Sequence, residues 1–133
     1  MSALVGSWKS NRVENLDAYL DKFGFDDAKR ALFSTTDARG TIANNGDEWT
    51  MTYTIGDVTV DRKFRLNEVG TETKPDGRQV QVCWTLSPDD ELYNEQRGDD
   101  GKVVLEQISV DNDELVYKLT YEGVSTTRYF TRE

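Results

Sequence analysis

Glu48-Trp49-Thr50-Met51-Thr52-Tyr53-Thr54-Ile55 decides the fold class. Apolar side chains stand at every second position with polar ones between them, the period of a strand with one buried and one wet face. The same alternation sets Val80, Val82, Trp84 and Leu86 against Gln81, Cys83 and Thr85, and Leu115, Tyr117, Leu119 and Tyr121 against Val116, Lys118 and Thr120. Turn signals separate these segments at hairpin spacing: Asn44-Asn45-Gly46-Asp47, Gly56-Asp57, Pro75-Asp76-Gly77, Pro88-Asp89-Asp90, Gly98-Asp99-Asp100-Gly101, Asp111-Asn112-Asp113 and Glu122-Gly123.

Upstream of this meander the period changes. Leu16, Tyr19, Leu20 and Phe23 recur at the i, i+3, i+4, i+7 spacing of an apolar helix face, and Gly24 ends the run. A second short helix is expected to start at Asp26 or Asp27, whose side chain can cap free N–H groups, and to carry Ala28, Ala31, Leu32 and Phe33. Two short helices cannot cover so many one-sided strands. Those strands bury their inner faces by stacking as a sandwich or by closing into a barrel, and hairpin-length connections favour an up-and-down barrel.

Composition bounds what such a barrel does. A chain of 133 residues fits a single domain with an adequate core. Its single cysteine, Cys83, can form no internal disulfide, and the opening Met1-Ser2-Ala3-Leu4-Val5 has no signal-peptide character, so a reducing cytoplasm is expected. No apolar run approaches the roughly 18 residues that span a bilayer, which limits membrane encounters to transient contact. A net charge of −9 opposes a nucleic-acid partner and favours a monomer. The chain contains no histidine, which removes the commonest general base and zinc ligand. A binding protein without metal or cofactor is expected rather than an enzyme.

Two arginines sit on the apolar parity. Arg128 shares its face with Val124, Thr126 and Phe130, and Arg62 alternates in phase with Val58, Val60, Phe64 and Leu66. A buried guanidinium needs an anionic or polar partner. That partner is either a ligand carboxylate, which suits the planar fork of arginine, or an internal acid such as Glu72 or Asp76. The ligand role is favoured for Arg128 and the internal pair for Arg62.

These residues fall into an ordered set that resembles the intracellular fatty-acid-binding proteins, relatives of the cellular retinoid-binding proteins. The set runs from Gly6-Ser7-Trp8-Lys9 through Asn15-Leu16-Asp17-Ala18-Tyr19-Leu20, Asn45-Gly46-Asp47, Phe64-Arg65-Leu66, Glu72-Thr73, Asp76-Gly77-Arg78 and Val80. It ends in Asn112-Asp113-Glu114-Leu115, Tyr121-Glu122-Gly123-Val124 and Arg128-Tyr129-Phe130, where the heart and intestinal branches are the nearest match. The resemblance covers the whole chain. It implies an all-β fold of the lipocalin-like or calycin kind: a ten-stranded antiparallel up-and-down barrel over residues 1–133, closed at one end near Trp8. A helix-turn-helix lid over about 15–36 covers the other end, above a largely water-filled interior.

The family likeness also implies a ligand site. Many members hold a fatty-acid carboxylate with two arginines and a tyrosine. Arg128 matches the second arginine, Gln107 falls at the first by alignment through Asp111-Asn112-Asp113, and Phe130 occupies the tyrosine position. The missing groups can be replaced in three ways: Arg128 acts with Gln107 and Tyr117, Arg62 supplies the second charge, or the ligand is neutral as retinol is. The first is preferred. Leu16, Tyr19, Leu20, Phe25, Phe33, Tyr53, Ile55, Val58, Pro75, Asp76, Trp84, Leu119 and Phe130 are expected around the cavity and its portal, together with Arg62. Asp76, Glu72 and Arg78 are the candidates for acid–base groups in an enzyme, but the resemblance places them in an internal polar network. The expected ligand is a long-chain fatty acid, with a retinoid or another bulky hydrophobe as the alternative.

Overall fold

The computed structural model describes residues 2–34 and 37–133. Eleven strands and two helices follow one another: β1 (Gly6–Glu14), α1 (Leu16–Phe23), α2 (Asp27–Ser34), β2 (Ala38–Asn45), β3 (Glu48–Ile55), β4 (Val58–Arg65), β5 (Val69–Thr73), β6 (Gln79–Cys83), β7 (Thr85–Leu86), β8 (Leu92–Gly98), β9 (Val103–Asp111), β10 (Glu114–Tyr121) and β11 (Val124–Arg132). All pairings are antiparallel, in the order β4-β3-β2-β1-β11-β10-β9-β8-β6-β5, with β7 also on β8. The sheet therefore rolls up as an up-and-down barrel. The expected sixth strand breaks at Trp84, which is why the count is eleven rather than ten.

Hairpin chemistry sets the registers. Asn112 and Asp113 both take positive φ between the paired Asp111 and Glu114, and Glu122 and Gly123 do so between Tyr121 and Val124. These are the two-residue turns whose twist matches that of the flanking strands. β1 is paired on both sides, Trp8 facing Gly40 of β2 and Arg132 of β11, so the first strand ties the start of the chain to its end.

Among the described residues one joint in the ring has no ladder. β4 and β5 stand at the two ends of the hydrogen-bonded path. A shallow outer groove lined by Lys63, Phe64, Val69 and Val82 marks the gap.

The helices follow their sequence signals closely. Gly24, at φ 91°, donates its N–H to the Leu20 carbonyl and ends α1. Asp26 caps α2 by accepting the Lys29 N–H at 2.9 Å. α1 packs on β10 and β11 and buries Tyr19, Leu20 and Phe23. α2 buries no residue fully, and Ala28 and Ala31 are exposed. The expected end of the lid at residues 35–36 lies outside the described residues.

The core divides in two. One cluster gathers Leu4, Trp8, Trp49, Phe64, Trp84, Leu92 and Ile108 at the end opposite the helices. The other joins Tyr19, Leu20 and Phe23 of α1 to Val104, with Phe25, Phe33 and Leu119 packed against it. Leu86, expected inside with Trp84, is 36% exposed. The ladder breaks at Trp84, and both residues of β7 beyond it are exposed.

Candidate cavity and its buried polar cluster

Between the two clusters lies a cavity leaving about 160 Å3 open to the centres of water molecules. That exceeds the room a single buried water needs by an order of magnitude. Leu16, Tyr19, Leu20, Phe25 and Phe33 line it from the helical side, Tyr53, Ile55 and Pro75 from β3 and the β5–β6 turn, and Leu119 and Phe130 from β10 and β11. All ten are among the expected positions. Val58, Asp76, Trp84 and Gln107 are not in the wall. Val58 is half-buried beside Ile55, and Asp76 is a buried partner of Arg78 and Lys29. Trp84 is sealed in the lower core, where its ring stacks on Phe64.

Arg128 and Tyr117 both face the cavity, and they do so as direct cross-strand neighbours on β11 and β10. Such neighbours hold their Cβ atoms about 5 Å apart, so one head group can meet both. Arg128 donates to the Phe33 carbonyl at 2.9 Å and to Ser10 Oγ at 3.4 Å, which ties the barrel wall to the last turn of α2. Burial pushes its pKa down from the usual value.

Gln107 does not join them. On β9 the inward residues are Val104, Glu106 and Ile108, whereas Gln107 turns out and donates to Glu91 at 3.3 Å. In a strand a step of one residue reverses the face, so Gln107 points away from the side that carries Glu106 and Ile108. The residue beside Tyr117 in the register is Ile108.

Arg62 does point inward, and its charge is consumed there. Its Nε and Nη2 donate to Glu72 at 2.8 and 2.6 Å, and its two Nη atoms each meet a Glu106 oxygen at 2.9 Å. Glu72 also accepts the Trp84 indole N–H at 2.9 Å, and Glu106 accepts from Gln96 at 2.7 Å and Asn94 at 3.2 Å. Burial alone would raise the Glu106 carboxyl, but the charges of Arg62 and Lys74 and the hydrogen bonds it accepts hold it down at about 2. Burial would likewise lower Arg62, and Glu106 and Glu72 drive it the other way. Every strong donor and acceptor in the triad is paired, the condition under which a buried ionic group is tolerated.

Sequence reasoning named the Arg62–Glu72 pair as one of two alternatives and did not see Glu106, Asn94 or Gln96. The signal was available for Glu106: period two through the apolar Ile108 and Val110 carries Glu106 to the same face. Asn94 and Gln96 share the inward parity of β8 with Leu92. Lys74, also in the cavity wall, follows the last residue of β5, where the period stops carrying information.

No family model matches the chain. Whole-length relatives do. A fatty acid-binding protein of Clonorchis sinensis is 31% identical over 133 residues, covering 99% of each chain. The intestinal fatty acid-binding protein of Mus musculus is 29% identical over 131 residues, covering 98% of this chain and 99% of its own. Among solved structures, a Schistosoma mansoni fatty acid binding protein in complex with arachidonic acid superposes with a TM-score of 0.91 at 26% identity, covering 100% of this chain and 98% of that one.

Proposed function

Since the chain belongs to the fatty-acid-binding protein family, we propose that it is an intracellular carrier that holds a long-chain fatty acid reversibly inside its barrel. The observation that supports this most directly is the cavity: mainly apolar walls, with Arg128 and Tyr117 side by side on one of them. Burying a chain of some fifteen methylenes at about 0.8 kcal/mol each supplies on the order of 12 kcal/mol of gross driving force. One guanidinium with one hydroxyl then suffices to orient a carboxylate. Arg62 stands behind this pair, its Nη1 donating to the Tyr117 hydroxyl at 3.4 Å, while Glu72 and Glu106 take its shorter hydrogen bonds.

The carrier does no covalent chemistry on its ligand. Asp76 and Arg78 neutralise one another, and Glu72 is locked between Arg62 and Trp84. The protein works as a monomeric single domain in the cytoplasm. Among the described residues no helix is long and apolar enough to cross a membrane.

The test is native mass spectrometry of the purified protein followed by organic extraction, then displacement of a fluorescent fatty acid by oleate and by retinol. A co-purifying fatty acid and stronger displacement by oleate support the reading. Stronger displacement by retinol would reassign the cavity to a neutral hydrophobe, and no binding of either would remove the carrier function.

A further inference from the structure

The cavity wall opposite Arg128 holds a cation that this carrier reading leaves without a task. Lys74 follows β5, five places from β11 in the ten-stranded ring and so across the barrel. It is only 8% exposed and lines the cavity. Among the described residues its ammonium forms no hydrogen bond and no ion pair.

The neighbouring carboxylates are already occupied. Glu106 accepts from Arg62, Asn94 and Gln96, and Glu72 accepts from Arg62 and Trp84. Lys74 nevertheless acts on Glu106 through space, favouring its charged form. Arg62 and Lys74 thus balance Glu72 and Glu106, two positive charges against two negative. Lys74 gives its charge to this cluster and keeps its N–H donors for whatever enters the cavity.

That combination selects a chemistry. A second carboxylate at Lys74 would leave the cluster with a net negative charge in a poorly solvated interior, which is costly. A bare hydrocarbon chain would leave the ammonium donors unsatisfied. A neutral oxygen acceptor meets the donors and keeps the charge balance.

We propose that Lys74 is a second recognition point, taking a hydroxyl, keto or epoxide oxygen on the chain of a fatty acid whose carboxylate lies at Arg128. The preferred ligands are then oxygenated fatty acids rather than plain ones. This rests on the carrier reading above.

The test is displacement of a fluorescent fatty acid from the wild-type protein by stearate and by hydroxy- and keto-stearates with the oxygen at successive chain positions. At least one position should bind about tenfold tighter than stearate, the worth of one hydrogen bond to a charged group. Lys74→Met should erase that preference while stearate binding persists. Because Lys74 also steadies Glu106, the wild-type series is read first and requires no variant. If Lys74→Met does not fold, Lys74→Gln replaces it and should reduce the preference. A flat wild-type series with stearate bound overturns the inference and spares the carrier, as does a preference that survives loss of the ammonium. No binding of any member removes the carrier reading itself.

Discussion

Replacing Glu106 by Gln keeps the shape of the most buried acid in the barrel and removes its charge. Glu106 is 0% exposed and accepts four hydrogen bonds, two from Arg62 and one each from Asn94 and Gln96. An amide turns one of those acceptors into a donor facing donors, and leaves Arg62 with Glu72 as its only counter-charge. Breaking a buried pair in this way costs about 3–5 kcal/mol. For a chain of this length the unfolding entropy is roughly 0.28 kcal/mol/K, so Tm should fall by about 10–18 °C.

The pH dependence offers an independent check. The folded Glu106 carboxyl lies at about 2 against an ordinary 4.5. A depressed folded value gives stability that is fully present above pH 4.5 and is lost as pH falls toward 2. Thermal and urea unfolding of both proteins between pH 7 and pH 2 should show Glu106→Gln less stable at neutral pH, with the gap narrowing in acid. A Tm within about 3 °C of wild type at pH 7, or an unchanged gap at pH 2, would refute the claim that Glu106 is ionised and fully paired.

Two other outcomes follow from the cavity and its lid. Arg128→Gln should weaken oleate binding about tenfold or more while leaving retinol binding nearly unchanged, measured by the same displacement titration; equal losses would make Arg128 structural. The basic residues of the helices are already engaged, Arg30 with Asp17 and Asp21, Lys22 with Glu122 and Lys29 with Asp76, so the lid presents an acidic face. Transfer of a fluorescent fatty acid to vesicles should therefore keep the same rate as anionic lipid replaces neutral lipid, and acceleration by anionic lipid that salt suppresses would contradict this.

The barrel was legible because its signals are local. Period two in Trp49–Ile55, period 3.6 in Leu16–Phe23 and the Asn, Asp and Gly turns each act within a few residues. Leu86 was misplaced because the break at Trp84 ends the buried face without leaving a mark in the pattern. Gln107 faces outward because a strand alternates its side chains one by one, so a motif placed without the strand's own period can fall on either face. Arg62 could be recognised as buried, yet its partners could only be narrowed to Glu72 or Asp76, because pairing across the barrel depends on which strands meet. Glu106 and Lys74 were missed for related reasons. A charged side chain on an apolar parity looks like noise until its counter-charge, far along the chain, is brought opposite.

The joint between β4 and β5 gains meaning from that same triad. Arg62 belongs to β4 and Glu72 to β5, so their ion pair spans the place where, among the described residues, neighbouring strands exchange no ladder bonds. The molecule is a rolled ribbon whose slit is buttoned from inside by side chains. Elsewhere around the circumference the fastening is peptide backbone, the same for any sequence. At the slit it depends on a few residues, so the compliance of the wall can be tuned by point substitution while the fold stays as it is.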